Sequence, residues 1–356
     1  MRNVMSWIKT YLINIFILIF SLFTAVVFAE IVLRNFIVPI PKLDHFSADV
    51  FKNDPLRGYK LVPNKTTIMS NGFFEEEIII DKNGNRDVYS ELLDDFGIVA
   101  IGDSQTFGHG IPVEDSWPEI LQQIISINVV NTGVSGYSPY QYLPTIDEQI
   151  ANGLNVKTVL YAVTYNDILG GELKVSSDAK KKLEIKFLGN DTTTINHDRV
   201  LKSLHYLRHR TALGKIIESA TRTHIDLPIK YKKANHIKGL KAFGAFISEL
   251  RNQLSLRGIE LHVVYIASGS YILPKSADLI FKIRDYDFRF IGDFLETNFN
   301  RVGISFADAT DPLFEHSALH NFERDSLILP VDGHYNRSAN IVIAKEFQRL
   351  LGLSYD

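Results

Sequence analysis

Cysteine is absent from all 356 residues. That excludes disulfides, thiolate metal centres and lipid attachment through an N-terminal cysteine; it leaves the compartment open, because reducing and oxidising spaces both tolerate a Cys-free chain. A surplus of charge is also missing: 38 Lys and Arg stand against 41 Asp and Glu, a formal net charge of -3. Neutralising nucleic-acid phosphates needs a basic excess, so nucleic acid is not an expected partner. There is no internal repeat and no low-complexity tract. What is present is 46% hydrophobic composition over a length that exceeds one typical domain. That is enough for a sizeable core plus appendages.

The longest apolar run lies near the N-terminus, where Thr10 to Ala29 carries no charged residue. About twenty such residues, at ~1.5 Å each, cross the ~30 Å hydrocarbon layer. Arg2 and Lys9 precede the run, whereas Glu30 and Arg34 follow it and cancel. The positive-inside rule therefore predicts a cytoplasmic N-terminus and an extracytoplasmic remainder. A cleaved signal peptide is the other reading, since Val27-Phe28-Ala29 resembles a small-residue cleavage site. The run exceeds the usual ~7–15-residue signal core, which favours an uncleaved single-pass anchor. No second set of membrane helices is evident.

Past Pro39 and Pro41, where a helix cannot continue, the text becomes strand-like: Tyr59 to Pro63, Phe73-Phe74 and Ile78 to Ile80, with a turn at Asn83-Gly84. Glu75 to Glu77 reads as a solvated segment. From Phe96 onward strands and helices alternate. Strands are expected at Gly97–Ile101, Asn128–Asn131, Thr158–Val163, Glu260–Ala267 and Ile304–Ala307. Helices are expected at Ser116–Ser126, Gln141–Asn152, His236–Leu256, Asp278–Asn300 and Asn336–Leu351. The alternation implies βαβ units, hence a three-layer α/β/α domain around a parallel sheet of about five strands. Residues 169–235 interrupt it and read as an insertion near the site, with an amphipathic stretch from Val200 to Ile217. The expected organisation is an anchor with a juxtamembrane helix (1–36), a linker and small β-rich preamble (37–95), and the α/β domain (96–356).

Chemistry concentrates at expected strand ends. Ile98-Val99-Ala100-Ile101 runs into Gly102-Asp103-Ser104-Gln105, which puts a serine just past the carboxyl end of a strand, where open α/β sheets bind ligands. By itself Gly-Asp-Ser is also a common turn tripeptide. It is not the Gly-x-Ser-x-Gly elbow, because the residue after Gln105 is Thr106. Asn131-Thr132-Gly133-Val134-Ser135-Gly136 follows the second strand, Tyr165-Asn166-Asp167 the third, and Asp332-Gly333-His334-Tyr335-Asn336 precedes the last helix. A serine nucleophile needs a base, a group to orient that base and donors for an oxyanion, and all those residue types are available.

In the order and content of these four blocks the chain resembles the SGNH, or GDSL-type, hydrolase superfamily, over about three quarters of its length. The resemblance implies a flavodoxin-like α/β/α fold and serine esterase activity without a cofactor. Ser104 matches the nucleophile and His334 the general base. The Gly136 amide, the Asn166 side chain and the Ser104 amide match the oxyanion donors, Gly133 being the weaker match. The family places its acid three residues before the histidine, a position held here by Val331. Asp332, two residues before His334, is the acid of an Asp-x-His variant, or else a backbone carbonyl serves a Ser-His dyad. An acylated glycan or other ester is the implied substrate, with O-acyl transfer to a glycan, or glycan binding without catalysis, as alternatives. His205 and His209, and His316 and His320, have the four-residue spacing of helix metal ligands but lack an acidic third ligand, so surface histidines are the expectation. Lys180 to Lys182 and Lys230 to Lys233 read as solvated charge. Tyr137, Tyr140 and Tyr165 flank the blocks, with sugar stacking and packing both open. The oligomeric state is not legible.

Overall fold

The structure, a computed structural model, describes residues 2–32, 45–46, 50–71, 74–87, 96–169, 172–174, 186–188, 233–267, 289–329 and 333–353. Helix α1 (Arg2–Val32) contains the apolar segment Thr10–Val32, 23 residues of mean hydropathy 2.7, long and apolar enough to span a membrane. It belongs to a different compact unit from residues 42–191 and 228–356, which hold the elements described next.

Five strands form one parallel sheet: β6 (Phe96–Ile101), β7 (Val129–Asn131), β8 (Asn155–Thr164), β11 (Glu260–Ile266) and β12 (Ser305–Asp308). Their spatial order is β12-β11-β8-β6-β7. Numbered along the chain this is 2-1-3-4-5, the flavodoxin-like order, with a topological switch between β6 and β8. Each expected strand is there, shifted by a residue or two at its ends, and β8 begins three residues early. Its burial alternates at first, Asn155 and Lys157 outside and Val156 inside, before the strand enters the core. Val99, Ala100 and Ile101 of β6, Val159 to Val163 of β8, and Val263 to Tyr265 of β11 are fully buried on both faces. A sheet covered on both sides has that pattern, and it reads as an unbroken apolar run.

Helices α3 (Trp117–Ile125) and α9 (Arg337–Leu350) pack together on one face, where the Trp117 and Phe347 rings stack at 4.3 Å. Helices α4 (Pro139–Ala151), α6 (Lys233–Ser255) and α7 (Phe290–Val302) cover the other, through Tyr142, Tyr161, Phe243 and Phe299. Helix α4 starts two residues before the expected Gln141, because Ser138 and Gln141 form a capping box and Pro139 fits the first turn. Residues 278–288 of the expected fourth helix lie outside the described residues. So do the amphipathic stretch of the insertion, His205, His209, Lys180 to Lys182 and Lys230 to Lys232, while Lys233 opens α6. Of that insertion the described parts are β9 (Glu172–Lys174) and β10 (Lys186–Leu188), an antiparallel pair.

Before the sheet come two small antiparallel assemblies: β1 (His45–Phe46) with β4 (Lys65–Ser70) and β5 (Glu75–Ile80), and the hairpin β2 (Phe51–Asp54) with β3 (Gly58–Leu61). Glu75 and Glu77 are exposed as expected of a solvated segment. Glu76 is half-buried, and burial raises its carboxyl above the usual range. Ion pairs tie the hairpin to α4: Arg57 meets Asp54 at 2.8 Å and Glu148 at 2.6 Å, and Lys60 pairs with Glu148.

Candidate active site

Strand β6 ends at Ile101, and Gly102 follows with φ +158°; a Cβ there would lie 2.0 Å from Thr106 Oγ1, so no other residue fits. Asp103 caps the next turn, its carboxylate accepting from the Gln105 amide at 2.9 Å. Ser104 opens α2 (Ser104–Phe107), a single turn ended by Gly108 in the left-handed region. The serine therefore stands at the carboxyl end of β6, beside the switch point.

The fourth block returns to it from the far end of the chain. Ile328 and Tyr335 form an antiparallel bridge, and the Leu329 amide donates to the His334 carbonyl at 2.9 Å. The Tyr335 amide donates to Gln105 Oε1 at 3.1 Å, and its buried hydroxyl donates to the Ala267 carbonyl just past β11. These bonds bring His334 Nε2 to 2.8 Å from Ser104 Oγ, across 230 residues of sequence. Asp332 lies outside the described residues.

The second and third blocks close around the pair. Val134 N–H donates to the Gly102 carbonyl at 3.3 Å. Gly133 is buried, its amide already donating to Asn131 Oδ1 at 3.0 Å, and a Cβ on it would lie 2.4 Å from the Phe107 nitrogen. It is a close-approach glycine with its N–H engaged. Gly136 instead is exposed at φ +83°, and its amide donates to no group among the described residues. Asn166 sits at the start of α5 (Tyr165–Leu169), exposed, with Nδ2 3.4 Å from Asp103 Oδ2. Tyr137 and Tyr165 are buried and Tyr140 is half-exposed.

Two buried carboxyls underlie the site. Thr164 Oγ1 lies 2.9 Å from Asp103 Oδ2 and 3.4 Å from Asp167 Oδ2. Asp167 also accepts from the Thr164 amide at 3.0 Å and the Tyr142 hydroxyl at 3.0 Å. Burial first, and the neighbouring Asp103 second, push the Asp167 carboxyl well above the ordinary range.

Several residues of the site carry no signal in the sequence. The His109 ring lies 4.3 Å from the His334 ring at 31°, meets Phe74 edge-on at 5.6 Å, and has Nδ1 3.5 Å from Ser135 Oγ. Gln105 couples the nucleophile turn to the histidine loop. Buried Arg86, following β5, donates to the carbonyls of Phe107, Gly108 and Ile111. None belongs to a recurring spacing; only its place after the Gly-Asp-Ser turn sets His109 apart. His316 and His320 have rings 4.7 Å apart, and no group of three metal-ligating side chains occurs among the described residues.

The expected three-layer α/β/α fold is there, a parallel sheet in flavodoxin-like order with Ser104 and His334 adjacent at its switch point. No family model and no curated protein matches the chain. Among solved structures, it is similar to an acetyl xylan esterase at TM-score 0.40 and 13% identity, over 71% of this chain and 98% of that one. It is similar to an acetylxylan esterase from Geobacillus stearothermophilus at TM-score 0.39 and 14% identity, over 72% and 94%. A protein of the G-D-S-L family from Desulfitobacterium hafniense is matched at TM-score 0.36 and 14% identity, over 71% and 98%.

Proposed function

We propose that the chain is a serine esterase acting on acyl esters through an acyl-enzyme at Ser104. The observation that carries this is the 2.8 Å approach of His334 Nε2 to Ser104 Oγ at the carboxyl edge of the sheet. In the neutral tautomer with its proton on Nδ1, His334 takes the Ser104 proton as Oγ attacks the ester carbonyl. The developing oxyanion is held by the amides of Ser104 and Gly136 and the side-chain amide of Asn166, each such donor being worth about 2.7–4 kcal/mol of barrier in other acyl-transfer enzymes. The imidazolium returns the proton to the departing alkoxide, and water, deprotonated by the same histidine, releases the acid. Asp332 is assigned to orient His334. The apolar helix Thr10–Val32 supports a membrane tether, and Arg2 and Lys9 before it support an extracytoplasmic catalytic domain, and so an O-acylated envelope or extracellular glycan as substrate.

The test is p-nitrophenyl acetate turnover by the full chain in detergent, beside Ser104→Ala and Asp332→Asn, with and without an oligosaccharide acceptor. Wild-type turnover falling by about 10⁴-fold or more in Ser104→Ala is expected, together with fluorophosphonate labelling of the wild type alone. A large loss in Asp332→Asn would assign the acid, and acyl groups on the oligosaccharide would make the enzyme a transferase. A folded wild type no faster than Ser104→Ala and resistant to fluorophosphonate would end the catalytic reading in favour of glycan binding.

A further inference from the structure

Tyr59 lies on β3 of the small hairpin, outside the sheet that carries the four blocks, yet its side chain reaches into the second block. Its hydroxyl donates to the Ser135 carbonyl at 2.9 Å. Ser135 C=O and Gly136 N–H are opposite ends of one planar peptide, so a bond that fixes the oxygen also fixes the direction of the N–H. We propose that Tyr59 is a positioning residue that aims and polarises the Gly136 amide as an oxyanion donor. This rests on the esterase reading above.

Four further observations bear on it. The Tyr59 ring is held edge-on between Phe51, at 5.5 Å, and Tyr137, at 5.3 Å, so the hydroxyl is delivered by a rigid arm. Separately, the Tyr137 hydroxyl donates to the Tyr59 carbonyl at 2.7 Å, and Gln141 Nε2 donates to the Arg57 carbonyl at 2.8 Å; both bonds hold the hairpin backbone and neither touches the Ser135–Gly136 peptide, whose aim is set by the Tyr59 hydroxyl and the packed rings. A Cβ on Gly136 would sit 2.8 Å from Tyr59 Oη, so the glycine is required by the hydroxyl as well as by its φ of +83°. Hydrogen bonding at a peptide oxygen strengthens the donor at its nitrogen, because bonds in a chain polarise one another. Burial raises the Tyr59 hydroxyl to about 12, which keeps it a donor throughout the neutral range.

The experiment compares full-length Tyr59→Phe with Tyr137→Phe. Both lose one hydrogen bond in the same interface, but only the first touches the Ser135–Gly136 peptide. With p-nitrophenyl acetate, Tyr59→Phe is expected to lower kcat about tenfold with KM within twofold of wild type, part of the ~10²–10³-fold effect of deleting a whole donor. Fluorophosphonate labelling slows in parallel, since the phosphoryl oxygen occupies the same hole. Tyr137→Phe keeps kcat within twofold while its thermal midpoint falls at least as far. Equal kcat losses in the two variants, or an unchanged kcat in Tyr59→Phe, would overturn the proposal while leaving the esterase reading intact. A wild type that neither turns over nor takes the label would overturn both.

Discussion

Arg86 is a buried guanidinium with no carboxylate in ion-pair contact among the described residues. Its donors go to three carbonyls of the loop that leaves α2, Phe107 at 2.5 Å, Ile111 at 2.6 Å and Gly108, and it lies 4.8 Å over the Phe107 ring. Burial lowers it to about 9, still charged at neutral pH. Arg86→Met removes a costly buried charge but strands the Phe107 and Ile111 carbonyls, each costing about 1–3 kcal/mol, and leaves the Gly108 carbonyl with the Ile111 amide at 3.4 Å. A net loss of about 2–4 kcal/mol is expected in urea unfolding, with Arg86→Lys in between; a methionine variant as stable as wild type would refute the clamp. Asp167 presents the opposite titration. Its folded pKa lies above the unfolded value near 3.8, so the folded state holds the proton more tightly. The stability it contributes is therefore full below about pH 3.8 and lost as pH rises toward the folded value. Asp167→Asn mimics the protonated acid. Its urea midpoint is expected to fall less steeply between pH 4 and 7 than that of wild type; parallel curves would show that Asp167 is ionised in the fold.

Among the elements, those without a repeating apolar spacing escape sequence reading. Helices α3, α4, α6 and α9 are legible from caps and apolar spacing. By contrast α2 has four residues, too few for periodicity, and it forms because Asp103 caps it and Gly108 ends it. Helix α8 (Thr310–Leu319) has no strong apolar stripe and is likewise missed. Asn336 is readable as a cap, and its side chain accepts from the Ser338 amide at 2.9 Å and that of Ala339 at 3.3 Å. Because it stands two residues after His334, Asn336→Ala is expected to cost about 1 kcal/mol and to lower kcat with the loosened loop. A kcat equal to wild type would uncouple cap from base. The pairing of α3 with α9 depends on the Trp117–Phe347 stack and on Asn340 Oδ1, which accepts from the Trp117 amide at 3.0 Å. Phe347 is fully buried, and Phe347→Ala is expected to cost about 3–5 kcal/mol in chemical unfolding.

For the whole molecule, the two compact units and the ties of the preamble to the sheet make different truncations unequal. A fragment from Lys42 keeps Arg57, Tyr59 and Arg86, whereas one from Phe96 loses all three. The first is expected to unfold cooperatively in solution without detergent, and the second to lack a cooperative transition by circular dichroism. A cooperative fragment from Phe96 would reduce the preamble to a passive attachment. The chain shows residues 37–95 as a linker and a small β-rich preamble that packs on the main domain, and does not show how far the sheet depends on it.

The sequence by itself determined the alternation of strands and helices, because burial on both faces of a parallel sheet needs apolar runs and right-handed crossovers return each strand to its neighbour's side. Through the resemblance of its four blocks to a known family pattern it also marked Ser104, Gly136, Asn166 and His334 as candidates. Only the tertiary structure decided what meets them. His334 reaches Ser104 across 230 residues, Tyr59 reaches Ser135 across 76, and Arg86 reaches Phe107 across 21. A period of two or of 3.6 reports neighbours along one element. Contacts between elements depend instead on how the sheet twists, which edge a hairpin covers and where a loop turns back.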